Sequence, residues 1–185
     1  MANEQLISNP DAQLLFADHA TDFGAAPTTA ANSLIVGTPT DVQIDLTGIA
    51  TDAFWQSAKA DFGATRSPLY RMDACIEFTS AAVAGEYVDF FWAASNSGTA
   101  GTGNAANITG ADGSYTETND LLAQLTYIGS LTCDAATIVI GFVGFLIPSL
   151  RYGSLVVGNR NTTSLAGAGV MDETHIVLTP MTQGT

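Results

Sequence analysis

The chain has 185 residues with one lysine, four arginines and eighteen acidic side chains, a formal net charge of -13. Only 12% of it is charged, against roughly 25% in an ordinary soluble domain, so most of its exterior is neutral and can be desolvated without stripping many ions of water. The acidic balance argues against binding a nucleic-acid backbone, whose affinity rests on Lys and Arg, and the length predicts one domain that needs no metal or disulfide scaffold.

In chain order, Met1 to Pro10 holds Glu4, no basic residue and no apolar run. That composition does not read as a secretory signal, so synthesis in the cytoplasm without a signal peptide is expected. Residues 1–32 read as an extended N-terminal arm, because Ala17 to Asn32 is rich in Ala, Thr and Asp and contains Pro27. The remainder, 33–185, reads as one β-domain. Leu34 to Val36 and Asp41 to Leu46 are its first strand candidates, the second alternating Val42, Ile44 and Leu46 with Asp41, Gln43 and Asp45. Phe54 to Asp61 follows.

Leu69 to Thr79 has the clearest period of two. Tyr70, Met72, Ala74, Ile76 and Phe78 share one face, and Arg71, Asp73, Cys75 and Glu77 the other, as in an antiparallel sheet with one wet side. Glu86 to Ala94 contains Phe90, Phe91 and Trp92 in succession, so aromatic rings point to both faces. One face is core; the other, with Tyr87, Asp89, Phe91 and Ala93, needs cover from the chain itself or from a neighbour. Ser95 to Ser114 is a Gly- and Asn-rich surface loop, too long for an ordinary connection and able to supply that cover.

Thr118 to Leu125 can form one or two helical turns capped by Thr118 or Asn119. Leu125 to Thr132, Thr137 to Leu146, Ser154 to Val157 and Thr174 to Thr179 complete the strand candidates. The apolar run Ala135 to Ile147 is too short for a membrane-spanning helix, which needs about twenty residues, and reads as a buried strand. Many short strands with almost no helix describe an all-β fold, an antiparallel β-sandwich of jelly-roll type.

Catalytic motifs are absent. Gly101-Thr102-Gly103 lacks the βα context of a phosphate loop, Gly153-Ser154-Leu155 lacks the spacing of a nucleophile elbow, and His19 and His175 lie far apart in sequence. No cofactor and no metal site is expected. The oxygen-rich run Asp112 to Asp120 has calcium-type ligands without calcium-loop spacing and reads as a solvated acidic loop. Cys75 and Cys133 match neither a zinc nor a redox spacing; two buried free thiols are the first reading and a disulfide between them the alternative.

Five stretches carry a family resemblance: Asp18 to Gly24, Ser33 to Gly37, Gln56 to Asp61, Arg151 to Val157 and His175 to Pro180. Together they resemble a family of tailed-bacteriophage virion structural proteins. The resemblance implies a place in a particle and transfers no active site. Joined to the neutral exterior, it leads us to expect a non-enzymatic virion protein, most simply a capsid decoration or cement protein. Its expected partners are the major capsid protein, other virion proteins and further copies of itself, without nucleic acid or membrane. Tyr87, Phe91 and Trp55, with Phe23 and Pro27 of the arm, are the candidate intersubunit contacts. A neck, tail or fibre-base component is the second reading. The third is a carbohydrate-binding module that would offer Trp55, Trp92 and Tyr115 to a glycan.

Overall fold

A computed structural model of the chain describes residues 6–8 and 12–183. Residues 1–5 and 9–11, part of the expected arm, lie outside the described residues. The fold is all-β. Its strands are β1 (Leu6–Ser8), β2 (Leu14–Ala17), β3 (Thr40–Gln43), β4 (Phe54–Gln56), β5 (Ala60–Asp61), β6 (Leu69–Glu77), β7 (Tyr87–Ser95), β8 (Gly113–Tyr115), β9 (Thr126–Thr132), β10 (Ile138–Leu146), β11 (Tyr152–Asn159) and β12 (His175–Gln183). One turn of α-helix, α1 (Asn119–Leu122), is capped by Thr118, whose hydroxyl accepts from the Leu121 N–H, and a 3-10 turn spans Ala30–Asn32.

Hydrogen bonding orders the strands β3-β2-β12-β6-β10-β9-β7-β11-β4-β8, with β1 beside β12 and β5 beside β11. All pairings are antiparallel except β2 with β3. One half of this path is β2-β12-β6-β10 and the other is β9-β7-β11-β4. Numbering those eight strands along the chain, the halves read 1-8-3-6 and 5-4-7-2, the interleaved Greek keys of a jelly roll. The two halves are joined at β9 and β10 through one register position, Gly129 opposite Gly144. A Cβ on Gly129 would collide with the Val143 carbonyl, and one on Gly144 with the Ile128 carbonyl, so bare backbone permits this close crossing.

The halves close over one core. Phe16, Met72, Ala74 and Ile76 from the first meet Val88, Phe90, Trp92, Leu155 and Val157 from the second. Trp92 lies edge-on to Phe16, with ring centroids 6.4 Å apart, and rests on Gly153, where any side chain would enter its ring.

The opposite long edge has no continuous ladder. The Ala58 N–H reaches the Gln43 carbonyl at 2.9 Å, and the Asp112 carboxylate does the rest. Asp112 Oδ1 accepts from the Asp45 N–H and from Trp55 Nε1, each at 2.9 Å, while Oδ2 accepts from Gln43 Nε2 at 3.3 Å. The same Gln43 amide donates to Asp18 Oδ1 at 2.7 Å, and its carbonyl accepts from the Ala20 N–H. Burial opposes ionisation of Asp18, but hydrogen bonds from Thr21, Gln43 and the Ala20 and Asp22 amides hold its carboxyl below the usual range.

The extended arm needs correcting. Leu14–Ala17 is a fully buried strand within the sheet, and the chain after it turns back over the outer face of β2 and β12. Phe23 packs against His175, with ring centroids 5.3 Å apart, and joins Leu15, Ala17 and Val177 in a small second core. Leu34 to Val36 is not a strand; it is held by side chains instead. The Leu34 N–H donates to His175 Nε2 at 3.0 Å, and the Val36 N–H to Gln13 Oε1 at 2.9 Å. His175 is completely buried, and its Nδ1–H donates to the Glu173 carbonyl at 2.7 Å, so both ring nitrogens are used by the neutral imidazole.

Asp112→Ala removes a charged acceptor from three donors and should lower unfolding free energy by about 2 kcal/mol, with Asp112→Asn costing less, as read by denaturant titration. Burial depresses the His175 pKa below its ordinary 6.5, outweighing Glu173. The unfolded chain then binds the proton more readily, so this contribution is complete above the ordinary value and declines as pH falls through the depressed one. Thermal melts of wild type should therefore drop more steeply below pH 6.5 than those of His175→Gln.

Candidate functional site

The outer faces of the two halves are covered unequally. On β7, β11 and β4 the cover is the chain from Ser95 to Leu125. Ala106, Ile108, Tyr115 and Leu125 form with Phe54, Ala93 and Val156 a third apolar cluster, against which Phe91, Leu121 and Leu122 pack. The Thr109 N–H donates to Gln56 Oε1 at 2.8 Å, and the Tyr115 hydroxyl to the Ala106 carbonyl at 3.0 Å. Arg160 lies 4.6 Å over the Phe54 ring and pairs with Asp52 at 2.8 Å.

The only lysine of the chain organises this cover. Lys59 sits between β4 and β5, and its Nζ lies 2.8 Å from Ser95 Oγ and 2.6, 2.8 and 2.6 Å from the carbonyls of Ser97, Thr99 and Thr102. Three ammonium protons thus serve four oxygens that no strand could satisfy. Gly110, with φ of 70°, lies over the lysine stem, where a Cβ would meet Cγ at 2.9 Å.

On the other half, the segment after β2 covers β2 and β12, and the Cys75 end of β6 is buried as well. What stays bare is the outer face of β10, bordered by Arg71 of β6. Alternation along β10 sends Val139, Val143 and Leu146 inward and Ile140, Phe142 and Phe145 outward, with a bulge between Phe142 and Gly144 keeping both phenylalanines on one side. Phe142 is 48% exposed, Phe145 53%, Ile147 just beyond the strand 73%, and Tyr127 on β9 55%. The two phenylalanine rings pack edge to face with centroids 5.1 Å apart, and the Arg71 guanidinium sits 5.2 Å from the Phe142 centroid. Arg71 also makes a bidentate pair with Asp73, at 2.7 and 2.8 Å, so the charges on this face cancel locally.

This strip corrects two expectations. The Ala135 to Ile147 run is buried on one side only. The five candidate contacts are placed differently from one another. Phe23 and Pro27 are buried within the chain and cannot reach a neighbour as a free arm would. Trp55 is half-buried on the inner side of β4, held by Asp112. Phe91 is half-buried against Phe54, Tyr127 and the covering segment. Tyr87 alone remains open, on the same sheet face as Tyr127. As platforms for a glycan, Trp92 and Tyr115 are both buried.

Chemistry of other kinds finds few materials. Cys75 and Cys133 are free and buried, and burial, with Glu173 and Glu77 nearby, pushes the Cys75 thiol up to about 12. Among the described residues no group of three or more His, Cys, Asp or Glu is placed to hold a metal ion. No helix among them is long and apolar enough to cross a membrane. Comparison of the chain with protein-family models, curated proteins and solved structures finds no match.

Lys59→Met keeps the stem over Gly110 and removes the ammonium. Amide exchange at 96–103 should accelerate at least tenfold, with a loss of stability of about 1 to 3 kcal/mol, while exchange on β6 and β12 follows only the global change.

Proposed function

We propose that this chain is a non-enzymatic structural subunit of a tailed-bacteriophage particle, one that decorates and cements the outside of the head. The observation that carries the reading is the bare strip on β10. A jelly roll that covers both flanks of its outer surface with its own chain, and leaves the stretch between them open and apolar, has a surface suited to another subunit.

The charge pattern supports the same reading. The basic side chains are engaged within the chain: Lys59 by the covering loop, Arg71 by Asp73, Arg151 by Asp61, Arg160 by Asp52 and Arg66 by the Pro148 and Ser149 carbonyls. What remains for solvent is predominantly acidic, which disfavours packing against a genome and leaves the neutral strip as the least costly surface to dehydrate. The five sequence stretches that resemble phage virion proteins lie largely in this framework, in β4, β5, β11, β12 and the segment after β2.

A neck, tail or fibre-base part would use the same strip with the same lack of chemistry. Reconstruction of purified particles separates the two: density for this chain over the head lattice is expected, with the β10 face against a neighbour. Density confined to the tail or portal axis would replace decoration with the second role, and absence from washed particles would overturn both.

A further inference from the structure

We infer that the bare strip of β10, bordered by Arg71 and Asp73 of β6, is a two-fold contact with a second copy of this chain. The inference names the partner of the surface discussed above, and it rests on that reading for where such a pair would work. Three physical features select a second copy over a partner of different chemistry.

The first is charge. Two chains of formal charge -13 repel over most of their surfaces. On this strip, however, Arg71 and Asp73 neutralise each other, and Ile140, Phe142, Phe145 and Ile147 carry no charge. The unpaired Glu77 on the same face of β6 is part-buried at the far end, opposite Ile138. A cationic partner would find no uncompensated carboxylate beside the two phenylalanines to bind. A second copy meets its like at the place where self-repulsion is smallest.

The second is area. An aromatic side chain offers roughly 200 Å², so Phe142 and Phe145 at about half exposure, with Ile140 and Ile147, present on the order of 400 Å² of apolar surface. Two copies with a rim of Arg71 and Asp73 would bury about 1,000 Å², the size at which a specific contact begins.

The third is preorganisation. Phe142 and Phe145 already pack on each other, Arg71 is fixed between Phe142 and Asp73, and the strand beneath is paired on both sides. Little side-chain freedom remains to be lost on docking. In an isologous contact every residue is used twice, so an antiparallel β10 against β10 would lay each Phe142–Phe145 pair on its symmetry mate.

Sedimentation and light scattering of the full chain at micromolar concentration should give a dimer. Ile147→Lys and Phe145→Asp should each weaken it at least thirtyfold, with unchanged circular dichroism, whereas Val170→Asp, exposed elsewhere, should leave it intact. If Phe145→Asp misfolds, Ile147→Lys decides, because its side chain is the most open of the strip. A wild-type chain that stays monomeric to about 100 μM, or a dimer indifferent to Ile147→Lys, would overturn the inference. Particle reconstruction judges the virion reading separately: a monomeric chain found on heads removes the dimer alone, and a dimer absent from particles removes the virion role alone.

Discussion

The core of this jelly roll is closed along both long edges of the folded-over sheet, and each edge is joined by a different chemistry. At β9 and β10 two glycines let the backbones cross at contact distance. At the other edge the Asp112 carboxylate stands in for a ladder, taking protons from Gln43, Asp45 and Trp55 at once. Trp55 is half-buried on the core side of β4, so this one acid connects the rim of the core to the covering loop and, through Gln43 and Asp18, to the segment that wraps β2. The two covers and the core are therefore mechanically linked at a single point.

The covers are where the scarce charges are spent. A long irregular segment leaves backbone carbonyls without partners, and burying them unpaired is costly. Lys59 meets that demand for the 95–114 loop with one ammonium, while His175 Nε2 and Gln13 Oε1 accept from the otherwise unpartnered N–H groups of Leu34 and Val36. Because these polar groups are used internally, each cover can lie close on its apolar cluster. Between the covers the surface is apolar, and the two charges on its border, Arg71 and Asp73, serve each other.

Most of the fold is legible in the local pattern of the sequence. The alternation of Leu69 to Thr79 is the real β6, Thr118 is the real cap, and β7, β9, β10, β11 and β12 fall within a few residues of their expected bounds. The failures have physical causes. Leu14–Ala17 is buried on both faces, so it shows no alternation, and it is short enough to pass for part of an arm. β10 is apolar on both faces for two reasons, core on one side and bare strip on the other, and composition cannot separate a face that is covered from one that is waiting for cover. Phe91 posed the same ambiguity, which its own loop resolves. The Asp112 clasp joins residues 57 to 69 positions apart, where no spacing rule applies. The five resemblance stretches lie mainly on framework strands and said nothing of the strip.

The placement of the basic residues also bears on resistance to proteolysis. Proteases of trypsin type cut after Lys or Arg and need several residues of extended, unpaired chain around the bond. Arg71 lies within β6, Arg151 and Arg160 adjoin the two ends of β11, and Lys59 lies in the three-residue step between β4 and β5. Arg66 stands farther from any strand, in the connection from β5 to β6, where its guanidinium donates to the Pro148 and Ser149 carbonyls. Cleavage of a folded copy by such a protease is thus concentrated on Arg66.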